Sequence, residues 1–169
     1  MGSRNKSELP WCQWHPTKNG DLTPDDVSDG SNKRVWWVCD LGHEWQSAVH
    51  NRVSKGSRCV YSIGRKTLKG FNDLATTFPD VARQWHPARN KPLEPYEISG
   101  GSEKKFWWLC DLGHEWEAIP ASRTRIGSGC AVCAGKKVLA GFNDLASKFP
   151  DVAAEWSSRN ELSASEVIS

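Results

Sequence analysis

Long apolar runs are missing from this 169-residue chain. It holds no stretch of 18 apolar residues, so no segment suits a membrane-spanning helix. No signal-peptide apolar region opens it, and position six, where myristoylation requires Ser or Thr, is Lys6. A strong charge of one sign is absent too. Lys and Arg number 22 against 20 Asp and Glu, and a net charge of +2 selects no partner. Methionine occurs once and tyrosine twice. Tryptophan, by contrast, occurs ten times and cysteine six. Cysteines in ligand-like pairs without an export signal are expected as reduced thiols in a cytoplasmic protein.

The cysteines carry the first chemical signal. Trp107-Trp108-Leu109-Cys110-Asp111-Leu112-Gly113-His114-Glu115-Trp116 is followed by Cys130-Ala131-Val132-Cys133. A Cys-x3-His pair and a Cys-x2-Cys pair have the spacing of a tetrahedral structural zinc site, which makes Cys110, His114, Cys130 and Cys133 its expected ligands. Thiolate and imidazole suit zinc, whereas magnesium and calcium want oxygen. Gly113 allows the tight backbone reversal that such a knuckle needs.

The same run stands 71 residues upstream, from Trp36 to Trp45, with Cys39, His43 and Cys59 in register. Between Trp36–Trp85 and Trp107–Trp156, 28 of 50 positions are identical. The period argues for two small units rather than one core, and units this small gain from a metal staple. The match to Cys133 is Ser62, a poor zinc ligand. The first site is therefore three-coordinate with water or a borrowed ligand, or empty; His50 and Cys12 are the candidates to be borrowed. Zinc is expected firmly in the second repeat and doubtfully in the first.

The expected organisation is an N-terminal segment and connector over 1–32, a first repeat over 33–86, a connector over 87–103, a second repeat over 104–156, and the start of a truncated third repeat over 157–169. Residues 1–13 are expected to be loose. Trp14-His15-Pro16 recurs as Trp85-His86-Pro87, and Trp156 opens a third, shortened version. Connectors 19–30 and 90–101 should be ordered and pinned by Leu22, Val27, Leu93 and Ile98. Val35–Val38 and Phe106–Leu109 read as strands, paired in hairpins with 44–49 and 115–119. Loops containing Gly and Arg should follow over 51–58 and 122–129. Beyond the second ligand pair, Asn72 and Asn143 are expected to cap helices, Pro79 and Pro150 to open second helices, and Phe71, Leu74, Phe78, Val81 and Trp85 to face the hairpin. The fold class is thus small α+β zinc-stabilised units.

The run Trp-Trp-x-Cys-x-x-Gly-His-x-Trp, then Cys-x-x-Cys, Gly-Phe-Asn-Asp-Leu-Ala and Trp-His-Pro, resembles tandem zinc-ribbon domains of bacterial proteins, a treble-clef-like family of uncharacterised function. The resemblance covers both copies. It implies two tandem treble-clef-like zinc fingers, each a β-hairpin knuckle plus helices, with ligands Cys110, His114, Cys130 and Cys133, and Cys39, His43 and Cys59. Ser62 departs from the pattern. Members found beside nuclease-like domains suggest nucleic acid by association only.

Charge is unevenly placed. Residues 33–70 hold eight Lys and Arg against two acids, and residues 104–141 six against three. Arg52, Lys55, Arg58, Arg65 and Lys66, with Arg123, Arg125, Lys136 and Lys137, are candidates to meet phosphates, DNA first. The bland alternative is a solvated face. Tryptophans could stack on unpaired bases, but units this small are expected to use them as core. A protein-interaction or structural array is the second function class. An enzyme is the third, and a four-ligand site without an open position argues against it, as does the lack of an acid partner readable near His15 or His86. The expectation is a non-enzymatic binding module.

Overall fold

A computed structural model describes Glu8 and residues 10–169. The expected looseness of residues 1–13 lies outside the described residues for 1–7 and 9. The chain divides between Leu68 and Lys69 into two compact units. Among the described residues no helix is long and apolar enough to cross a membrane.

Each unit is built on one antiparallel hairpin. Strand β1 (Arg34–Val38) pairs with β2 (Glu44–Ala48), placing Trp37 opposite Trp45. Strand β3 (Phe106–Leu109) pairs with β4 (Glu115–Ala118), placing Trp108 opposite Trp116. Alternation decides what faces inward: Val35 and Trp37, or Phe106 and Trp108, are buried while their neighbours are less so. Between the strands the chain reverses tightly. The Gly42 amide donates to Cys39 O at 2.8 Å and the Cys39 amide to His43 O at 3.0 Å, with Gly42 at φ 76°. Gly113, at φ 80°, repeats this between Cys110 and His114. A side chain is strained at such φ, which is why glycine precedes each histidine.

The free edge of β1 and of β3 is covered by the Trp-His-Pro segment. Trp14 bridges to Trp37 and Trp85 to Trp108. Asn19 continues the edge with its amide: Oδ1 accepts from Trp36 N at 2.7 Å and Nδ2 donates to Trp36 O at 3.0 Å. Asn90 does the same for Trp107 at 2.9 and 2.8 Å. His86 is buried with both ring nitrogens engaged. Its Nε2 lies 3.0 Å from Glu115 Oε1, and its Nδ1 accepts from the amides of Ala88 and Arg89. His15 repeats the pattern with Glu44, Thr17 and Lys18. These histidines therefore hold the edge segment in place.

Short helices follow. Helix α1 (Val49–Val53) and α4 (Pro120–Arg125) begin directly after the hairpins, where a loop was expected. Pro120 sits at the first helical position, where its missing N–H costs nothing. Helices α2 (Leu74–Thr77) and α3 (Pro79–Arg83), and likewise α5 (Leu145–Lys148) and α6 (Pro150–Ala154), are pairs broken at proline as expected. Their cap differs from the expectation. Asp73, not Asn72, is the N-cap of α2 and accepts from Thr76 N at 2.9 Å; Asp144 does the same for α5 from Ser147 N at 2.9 Å.

A larger correction concerns what the helices pack on. Leu74 and Trp85 join Ile98, Phe106 and Trp108 in one buried cluster, so α2 and α3 serve the hairpin that follows them. The expected boundary at 86/87 is replaced by the break at 68/69. Phe78 is exposed rather than part of that face. In the first unit Trp11 supplies apolar surface at the position 71 residues before Ala82. It is buried with Val27, Val35, Trp37, Trp45 and Val49, its ring 6.1 Å from that of Trp37. The connectors are ordered by single turns at Pro24–Asp26 and Pro95–Glu97. Val27 and Ile98 pin them, and Leu22 packs on the first core, but Leu93 is exposed.

Asp73 is fully inaccessible to solvent. Burial pushes its carboxyl up, but hydrogen bonds from the Thr76 hydroxyl and amide and the Gly70 amide outweigh this and leave it below the usual carboxylate range. A lowered folded value means stability that is complete above the unfolded value, about pH 4, and lost as pH falls through the folded one. Asp73→Ala should therefore destabilise the second unit by about 1–2 kcal/mol at neutral pH. The gap from the unaltered protein should narrow on acidification to pH 3. Urea unfolding at the two pH values checks this, and a gap that does not change with pH would remove the carboxylate from the account.

Candidate metal centre

The second hairpin presents Cys110 and His114 at its turn, and the segment after α4 brings Cys130 and Cys133 to meet them. His114 Nδ1 lies 3.5 Å from Cys110 Sγ, 3.7 Å from Cys130 Sγ and 3.2 Å from Cys133 Sγ, and the Cys110 and Cys133 sulfurs are 3.8 Å apart. A tetrahedral ion with bonds of about 2.0–2.3 Å sets its donors roughly 3.3–3.8 Å apart, so the donor set fits zinc. Electrostatics agrees. Burial and the Cys130 and Cys110 sulfurs push Cys133 up to about 12. Burial also opposes ionisation of Cys110, but hydrogen bonds from the His114 and Leu112 amides bring it below its ordinary value. Crowded sulfurs resist ionising together unless a cation joins them.

The ligand loop has its own fastening. Asn143 is buried; its Nδ2 donates to Val132 O at 3.1 Å and Lys137 O at 2.9 Å, and its Oδ1 accepts from Leu139 N at 2.7 Å. The residue expected to cap a helix thus clamps the turn that carries Cys130 and Cys133. Phe142 packs edge-on against His114 with centroids 4.4 Å apart. The Gly-Phe-Asn-Asp run beside the ligands was the available signal for both contacts.

In the first unit Cys39, His43 and Cys59 converge with donor atoms within 4.8 Å of one another. Cys59 Sγ lies 3.7 Å from His43 Nδ1, and Ser62 Oγ lies 3.4 Å from it. Burial raises Cys59, but hydrogen bonds from Ser62 and the Tyr61 amide outweigh it and leave the thiol lowered. Neither His50 nor Cys12 joins the group, so neither lends the fourth donor. Cys12 is exposed.

Two of the nine cations expected to meet phosphates are elsewhere. Arg52 and Arg123 are buried. The Arg123 guanidinium lies 4.4 Å from the Trp108 ring and 5.0 Å from the Trp116 ring, and it donates to Ser128 O and Gln84 Oε1. Arg52 lies 5.3 Å from both Trp37 and Trp45 and donates to Ser57 O and Gln13 Oε1. Each guanidinium has cation–π and hydrogen-bond partners that tie the hairpin to the ligand loop, while Arg52 Nε and Arg123 Nη1 are buried without a hydrogen bond. Gln13 and Gln84, 71 residues apart, were missed as partners. Lys55, Arg58, Arg65 and Lys66 are exposed, as are Arg125, Lys136 and Lys137. Of these, Lys55, Arg58 and Arg65 line one groove of about 540 Å³ with Trp45, Asn51 and Ile63.

Residues 11–61 and 81–136 match the model of the probable treble clef zinc finger domain. The chain belongs to this family. Two antiparallel hairpins, short helices and two Cys/His clusters are the tandem treble-clef zinc units that it describes. Both matches start before the hairpin, within or near the edge segment, and each takes in one hairpin and its helix. No curated protein matches the chain.

With zinc bound, the second cluster would be closed by four protein donors, and zinc binding at such sites supplies folding free energy directly. Cys133→Ser should lower the bound zinc by one equivalent per chain and make the second unit unfold at lower urea. Metal content and unfolding left unchanged by this substitution would exclude Cys133 as a ligand.

Proposed function

We propose that this chain is a zinc-binding, non-enzymatic module that contacts nucleic acid, DNA first, through cations beside the first Cys/His cluster. The observation that carries this is the gathering of exposed Lys55, Arg58 and Arg65 on one groove. Phosphates are met by cations that are accessible and held apart by a folded scaffold, and the groove rises from the loop next to Cys59. Arg125, Lys136 and Lys137 are the weaker counterpart beside the second cluster. The tryptophans add no open stacking platform, since all ten are buried or half-buried.

Zinc occupies the two clusters unequally in this proposal. Cys110, His114, Cys130 and Cys133 form a complete set, whereas Ser62 replaces one thiolate in the first and weakens it. A non-enzymatic role is supported by the closed second set and by His15 and His86, whose ring nitrogens are committed to the edge segment. Reduced cysteines support a cytoplasmic location. A second reading, docking of a protein, is favoured by exposed Phe149, Val152 and Leu162 around α6.

Neutralising Lys55, Arg58 and Arg65 together should weaken duplex DNA binding and flatten its salt dependence by up to about 3 in the log–log slope, with metal content intact. Titration across a salt series measures both. Absence of binding at low salt, or an unaltered slope, would move the assignment to the protein-docking reading.

A further inference from the structure

The first Cys/His cluster has three strong donors and a weak corner. Ser62 Oγ stands 3.4 Å from His43 Nδ1, the place that Cys133 Sγ takes 3.2 Å from His114 Nδ1. Ser62 is exposed, and the corner gives onto a cavity of about 540 Å³. Cys39, Cys59 and Ser62 are in its wall, as are Arg52, Arg58 and Asp40. The second cluster adjoins a similar cavity of about 500 Å³, but there Cys133 stands in the wall as a fourth thiol, whereas in the first the wall offers only the Ser62 hydroxyl at that corner.

Charge says what would enter. A divalent ion with three thiolates carries −1, and with two it is neutral. Each cluster has a buried arginine in the wall of the adjoining cavity: Arg123 beside Cys110, Cys130 and Cys133, and Arg52 beside Cys39 and Cys59. In the second unit the arginine offsets the extra negative charge. In the first it has no such charge to meet, and among the described residues of the cavity wall Arg58 adds to it against one acid, Asp40. An anionic fourth ligand would restore the balance. A sulfur anion is the softest choice and matches the two thiolates present.

We propose that the first cluster is an exchangeable-ligand metal site: Cys39, His43 and Cys59 hold the ion, and the fourth position takes a small thiolate from solution. The incoming thiol passes its proton to solvent and displaces a water or the Ser62 hydroxyl; no electrons are transferred. This rests on the zinc-binding part of the function proposed above.

Cobalt(II) loaded into the full chain reports sulfur ligation through its absorption, and 2-mercaptoethanol serves as the probe. The unaltered protein should bind two cobalt ions and show a saturable rise in sulfur-to-cobalt charge transfer on titration. Cys12→Ser should respond equally. Ser62→Cys should start at the higher absorption and not respond, and should bind cobalt at the first site about tenfold tighter or more. Two bound ions with no response to the thiol would overturn the inference, as would a response that persists in Ser62→Cys or a starting spectrum altered by Cys12→Ser. Uptake of a single ion, lost in Cys133→Ser, would also overturn it while sparing the second site. A chain that takes up no cobalt and no zinc would bring down the zinc-binding reading itself.

Discussion

The structure depends on a backbone reversal of five residues, Cys-x-x-Gly-His. It requires positive φ at Gly42 and Gly113, 76° and 80°, and it is closed by amide–carbonyl bonds between the cysteine and histidine backbones. One reversal does two things. It brings a thiol and an imidazole to the same point, and it sets the strand register so that Trp37 meets Trp45 and Trp108 meets Trp116. Metal geometry and core packing are therefore coupled. A change that opened the turn would separate the donors and slide the tryptophans together.

Between the metal corner and the core stands a buried arginine. Arg52 and Arg123 each sit against two indoles and reach the carbonyl of the ligand loop, Ser57 or Ser128. A guanidinium suits this place because its planar face stacks while its edge donates several hydrogen bonds. Burying it is costly without partners; the indole faces, the glutamine side chain and the loop carbonyl supply most of them, and one nitrogen of each guanidinium is left without a hydrogen bond. In a unit with a small core, this polar tie fixes the loop that carries the second ligand pair. Asn143 fastens the far side of that loop, so in the second unit its two ends are held by different chemistry.

The two units show how one scaffold tolerates a lost ligand. Ser62 keeps the position of Cys133 and a contact with His43, but gives up the charge and softness of sulfur. The surrounding cations then matter more. Lys55, Arg58 and Arg65 gather beside the three-donor cluster, where fewer acids oppose them than near the second. The copy with fewer thiols is thus the one with the larger positive excess.

Much was legible in the sequence because it is local. The hairpins, the seven strong donors and the proline-broken helix pairs follow from spacing, alternation and backbone restriction, which act over a few residues. The two-fold period made each of these readable twice. The remaining features are long-range. Helices α2 and α3 pack forward onto β3 and β4 because Trp85 bridges to Trp108, and periodicity cannot tell the preceding hairpin from the following one. Arg52 and Arg123 look like surface cations until a buried indole pair claims them, since charge alone carries no information about burial. Asn143 and Asp144 are adjacent, and only the folded loop determined which would cap the helix and which would clamp the ligands. Local pattern carried the two Cys/His groupings and the hairpins; burial, partner choice and the 68/69 break came from contacts between residues that are distant along the chain.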